Sequence, residues 1–156
     1  MNLQRAKDFA IGLGFVIIQI VLFRHLKFYG MQPDLVLVYL LFIMTRRDRT
    51  TSIMMAGGLG FIQDAFLDMW GLNMFAKTLL AFGGYRFIPR SAESRLLLGQ
   101  VFLLTVGAAL IHNIIFLGLS GLIGSYSTEL YFWRLWIGNS IYTGLVASFL
   151  YLFRTK

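Results

Sequence analysis

The 156-residue sequence contains no cysteine. That excludes a disulfide framework, a thiolate nucleophile and any Cys-ligated metal. Charge is also scarce: only 13% of residues are Asp, Glu, Lys or Arg. Polar connections are short, the longest running from Pro89 to Arg95. No soluble domain, low-complexity segment or internal repeat fits between the apolar runs. Signatures of catalysis are missing too. There is no Gly-rich phosphate loop, no G-x-S-x-G, no H-E-x-x-H and no pair of catalytic acids. Ser120-Gly121 with His112 makes too weak a constellation for intramembrane proteolysis. His112 has no second ligand at helical spacing, so it is a poor metal site and reads as a hydrogen-bond partner of a neighbouring helix. The expectation is a protein that is not an enzyme and uses no cofactor and no metal.

What is present in abundance is apolar. Hydrophobic residues make up 58% and aromatics 16% of the chain, with a mean hydropathy of +0.72. A soluble fold of this size could not hide that much apolar surface. The chain reads as an all-α integral membrane protein, one domain over residues 1–156. Helices follow because only helices or closed barrels satisfy the backbone in lipid. The runs lack the strict alternation of barrel strands.

Six spans are expected: Phe9 to Phe28, Pro33 to Thr45, Thr51 to Leu67, Leu72 to Ile88, Leu96 to Gly124 and Leu130 to Phe153. The second is short, about 20 Å of helix against a hydrocarbon core of about 30 Å. It could borrow length from snorkelling Arg46 and Arg47, or be shielded by protein. The N-terminal run, with Arg5 and Lys7 before it, lacks a small-x-small cleavage site and reads as an uncleaved span.

The net charge of +7 reports topology rather than nucleic-acid binding, because the basic residues sit between apolar runs. With six spans and both termini in the cytoplasm, Arg5, Lys7, Arg46, Arg47, Arg49, Arg86, Arg90, Arg95, Arg154 and Lys156 lie inside. Only Arg24, Lys27 and Arg134 fall outside, and Lys77 lies within the membrane. Omitting the second span would move Arg46, Arg47 and Arg49 outward and spoil this bias.

The richest stretch is Gly57 to Gly84, two apolar runs around the turn Asp68-Met69-Trp70-Gly71. Each run hides one charge, Asp64 and Lys77. A charge within a hydrophobic span costs on the order of 3 kcal/mol on insertion scales. Both residues sit roughly 10 Å from the same membrane face. An ion pair locking the hairpin is therefore expected, favoured over a proton or substrate site, with Gln63 and Asn73 completing a polar network. Gly60, on the same helix face as Asp64, suits close helix packing within the fold. Pro33-Asp34 reads as the cap of the second span. Ser140, Gly144 and Ser148 form a smooth face in the sixth span that could seat another helix, from this chain or from a partner. Trp70, Gly71, Tyr126 and Tyr131 are candidates for an outer rim that meets partners, since aromatics favour interfaces.

Pro33-Asp34-Leu35, Gly60-Phe61-Ile62-Gln63-Asp64, Trp70-Gly71-Leu72-Asn73, Lys77-Thr78-Leu79 and Gly84-Tyr85 follow one another across the middle third of the chain. Their order and spacing, with the length and the basic inner loops, resemble the MreD family, rod shape-determining membrane proteins of bacteria. Asn73 stands where some relatives have His. The resemblance implies a non-enzymatic scaffold of the cell-elongation machinery in the bacterial inner membrane, helping to control peptidoglycan synthesis. It implies binding to MreC and, indirectly, to MreB, RodA and a penicillin-binding transpeptidase. The implied fold is similar to that of the S-components of energy-coupling-factor transporters. A rival of another class is an S-component-like vitamin-binding subunit of a transporter, which would carry a closed polar pocket near the outer face lined by Asp64, Lys77 and Asn73.

Overall fold

A computed structural model describes residues 3–23, 30–89, 96–122 and 132–154 of the chain. Among these the secondary structure is helical apart from short turns. The helices are α1 (Leu3–Phe23), α2 (Leu35–Arg46), α3 (Arg49–Leu67), α4 (Leu72–Gly84), α5 (Leu98–Leu122) and α6 (Asn139–Arg154). A 3-10 turn, Tyr85–Phe87, extends α4, and a π-helical stretch, Arg134–Gly138, leads into α6. Two helical stretches, Leu98–Leu122 and Trp136–Phe153, are long and apolar enough to cross a membrane by themselves.

Local chemistry explains the boundaries. Asp34 caps α2 by accepting from Leu37 N at 2.9 Å. Asp48 caps α3, accepting from Thr51 N at 3.1 Å and from its hydroxyl at 2.6 Å. These acids satisfy amides that have no intrahelical partner. At the other end of α3, Asp68 adopts the left-handed conformation (φ 54°) that closes the helix. Gly71 follows at φ 83°, a conformation that suits glycine.

The helices alternate in direction. One end of the bundle gathers the start of α1, the α2–α3 connection and the end of α4. There Arg47 pairs with Asp8 at 2.7 Å, and Arg49 donates to Phe82 O at 2.9 Å while lying over its ring. Tyr151 of α6 donates to Leu96 O just before α5, placing these ends together as well. The opposite end carries the α3–α4 turn, the start of α2 and the π-helical stretch.

α2 occupies the centre. It touches α1, α3, α4, α5 and α6, and Leu35, Val36, Leu37, Tyr39, Leu40, Ile43 and Met44 are buried. Its shortness is thereby explained: protein, not lipid, surrounds most of it. The main core joins Val16, Val36, Tyr39, Leu40, Ile43, Met44, Met55, Ala56, Leu59 and Ala81. Outward faces remain apolar, as at Phe61, Phe75, Leu103, Ile111 and Phe149. That is the surface a lipid solvent accepts and water does not.

The observed limits correct several expected ones. α1 starts at Leu3, so Arg5 and Lys7 lie in its first turns. The α-helix of the expected fourth span closes at Gly84, then tightens into the 3-10 turn. The expected sixth span is not one regular helix: Arg134–Gly138 is π-helical before α6. Residues 24–28, 123–124 and 130–131 of the expected spans lie outside the described residues, as do Arg90 to Arg95, Tyr126, Tyr131 and both chain ends.

Candidate functional site

Buried polar side chains concentrate at the end of the bundle that carries the α3–α4 turn. Asp64 lies near the end of α3 and is buried. Its Oδ1 accepts from Asn73 N at 3.0 Å and its Oδ2 from Met74 N at 2.8 Å. These are first-turn amides of α4, whose cap residue Gly71 has no side chain to offer. An acid on the preceding helix therefore does the capping, and the positive end of α4 stabilises its charge.

Lys77 lies one turn deeper in α4 and is fully buried. Its ammonium reaches Asp34 Oδ2 at 2.6 Å, Asn73 Oδ1 at 3.2 Å and His112 Nε2 at 3.4 Å. Three donors thus meet three acceptors. The expected direct pairing of Lys77 with Asp64 is corrected: the counter-ion is Asp34. Asn73 bridges the two expected partners, since its Nδ2 donates to Asp64 Oδ1 at 2.9 Å. The physical reason is that the backbone amides of α4 claim both Asp64 oxygens. Both Asp64 and Lys77 are nonetheless buried, and Asn73 supports them.

The network continues into the second half of the bundle. Accepting from Lys77 at Nε2 requires the His112 proton at Nδ1, which faces Asn113 Oδ1 at 3.3 Å. Asn113 Nδ2 then donates to Ser140 Oγ at 2.9 Å, and Ser140 donates to Trp136 O. Asp34 N donates to Thr143 Oγ1 at 3.0 Å and Gln32 N to Asn139 Oδ1 at 2.8 Å. Gln19 of α1 accepts from Val36 N at 3.0 Å. One chain of contacts therefore ties together all six helices. His112 takes part as a hydrogen-bond partner, and Asp34 is both cap and counter-ion.

Above this network opens a cleft of about 490 Å³, lined by polar residues including Gln19, Gln32, Asp34, Gln63, Asn73, His112, Asn113 and Asn139. Apolar walls come from Ile20, Phe66, Phe116 and Leu117. Gln63 is only 3% exposed, and its Oε1 meets no donor among the described residues. Among the described residues Asp64, Asn73 and Lys77 are bonded, while the Gln63 amide oxygen is not.

The smooth face expected in the sixth span, which lies on α6, is taken within the chain. Ser140 and Gly144 are buried, and a methyl added at Gly144 would run into Val106 and meet Phe102 at 3.1 Å. That face seats α5, which corrects its candidacy for a partner helix. Ser148 donates to Gly144 O at 2.9 Å along the same ridge. Gly60 packs as expected: an added Cβ would lie 2.6 Å from Met74 Cα. Trp70 at the turn is 88% exposed. Trp133 and Phe132 add exposed aromatic surface that the sequence reading did not single out; their run Phe132-Trp133 before an apolar helix was the available signal.

A family model described as rod shape-determining protein MreD matches residues 5–156. No curated protein and no solved structure matches the chain. The chain belongs to the MreD family, a membrane protein family of rod shape determination.

Proposed function

We propose that the chain is a non-enzymatic scaffold of the cell-elongation machinery that binds MreC. Family membership over nearly the whole chain is the observation that carries this reading. MreD is a shape-determining family and not a known enzyme family. The geometry adds support: a polar network braces six helices into one unit, and exposed aromatics sit at one end of it. Through MreC the scaffold would connect to MreB, RodA and a penicillin-binding transpeptidase, and so help control peptidoglycan synthesis.

In this reading the chain crosses the inner membrane six times, with both termini in the cytoplasm. The end bearing Arg5, Lys7, Arg46, Arg47, Arg49 and Arg86 faces inward, in keeping with the positive-inside bias. The α3–α4 turn then faces outward, and Trp70 and Gly71 lie on the outer rim, where MreC is met. Reporter fusions at residues 1 and 156 test the topology: both must report the inner side. Short connections leave helix faces and this rim as the surfaces for recognition. Co-purification with MreC from native membranes tests the function.

A further inference from the structure

The cleft above the buried network has features that partner scaffolding does not explain. Apart from Asp34, Asp68 and His112, its polar wall is built from neutral amides. Gln63 is almost wholly buried, yet its amide oxygen has no donor among the described residues. Buried amides are ordinarily bonded, so this oxygen awaits a donor from something within the cleft. Among the described residues, Gln19 and Asn139 each use only their oxygen, on Val36 N and Gln32 N. Their amide nitrogens remain available as donors. The wall thus offers acceptor and donor groups side by side.

Charge narrows the class of ligand. Asp34, the deepest charge in the lining, is neutralised by Lys77 at 2.6 Å. Among the described residues, the lining's unpaired charge is Asp68, on the exposed rim. Among the described lining residues an anion would meet no free cation and one acid. A cation would approach buried Lys77 with only the rim acid to hold it. A hydroxyl both donates and accepts, so it can match either atom of an amide. Phe66 and Phe116 supply apolar faces of the kind that pack against a sugar ring. The volume lies within the range of small-molecule sites, roughly 300–1,000 Å³.

We propose that this cleft binds an uncharged, hydroxyl-rich group, with Gln63 accepting from it and Gln19 and Asn139 donating to it. The group arrives either as a free small molecule or as the sugar headgroup of a membrane lipid. The site is independent of MreC binding, and each can fail without the other.

The test uses the full chain in phosphatidylcholine nanodiscs. Free methyl glucoside is titrated by saturation-transfer NMR. Monoglucosyl diacylglycerol is added to a second set of nanodiscs and its retention followed by native mass spectrometry. Methyl glucuronide and glucosamine serve as the charged comparators. The expected result is saturable binding of the neutral sugar, about tenfold tighter than either charged analogue. Binding in both forms marks a soluble source, and binding only of the lipid marks a membrane source. Gln63→Leu should weaken binding about tenfold or more while the fold is retained, because it removes an unbonded polar atom. Gln63→Met, close in shape, is the second variant should the leucine fail to fold. Three results would overturn the proposal: no saturable binding of either neutral form, charged analogues bound as tightly, or a folded Gln63 variant that binds unchanged.

Discussion

Lys77 donates to Asp34 at 2.6 Å, across 43 residues of sequence, and so fastens the middle of α4 to the start of α2. Lys77 is fully buried and the Asp34 side chain is 15% exposed. Removing one partner of a buried pair leaves an uncompensated charge and costs about 3–5 kcal/mol. Asp34→Asn keeps an oxygen to cap α2 but removes the counter-charge. It should destabilise strongly, as should Lys77→Met. The double variant should be milder than the sum. A double-mutant cycle by thermal unfolding in detergent checks this. The same cycle on Asp64 and Lys77 should give a smaller coupling; a larger one would reverse the assignment.

Gly60 marks the closest approach of α3 and α4, with backbone rather than a flexible side chain in the way. Gly60→Ala should force the helices apart and cost about 1–3 kcal/mol. Gly83, in α4 with open space around its Cβ position, is the control. Gly83→Ala should be neutral or stabilising by up to about 1 kcal/mol. Melting temperatures of the two variants in the same detergent decide the point.

Gly144→Leu should disrupt the chain's own α5–α6 packing, because Val106 and Phe102 already fill the space. The expected outcome is loss of folded protein, seen as aggregation in size-exclusion chromatography. A well-folded Gly144→Leu protein that had lost only a partner would contradict the packing.

At the basic end, hydrogen bonds from Thr51, and then the nearby Arg5, hold the Asp48 carboxyl below its ordinary value of 3.8. A lowered folded value means the contribution is present above the unfolded pKa. It is lost as pH falls through the folded pKa, below the ordinary carboxylate range. Asp48→Ala should therefore loosen the start of α3 at neutral pH and remove this part of the acid sensitivity. Hydrogen exchange of Thr51 and Ser52 amides, compared at neutral and acid pH, reads the effect.

Much of the bundle was legible in residue order. Apolar runs located the helices, and Asp64 and Lys77 stood out as charges within them. Their spacing in one hairpin suggests a mutual pair, because residue order shows only neighbours in sequence. Which carboxylate meets Lys77 is decided by α2 lying against α4, a tertiary fact. A local clue did exist: Gly71 opens α4 with no side chain, so a nearby acid was needed to cap it, and Asp64 was the candidate. Asp34 looked complete as a cap because one of its oxygens is sufficient for that role. The face of Ser140 and Gly144 announced close packing but not the identity of its neighbour. The π-helical stretch before α6 had no signature, since its apolar residues suit a regular helix equally well.

The most direct test of the proposed role is co-purification of the tagged full chain from native membranes in mild detergent, read by quantitative mass spectrometry. The account predicts MreC in near-stoichiometric amount with the wild-type chain and with Gly83→Ala. A folded, membrane-inserted chain that brings down no MreC would contradict it.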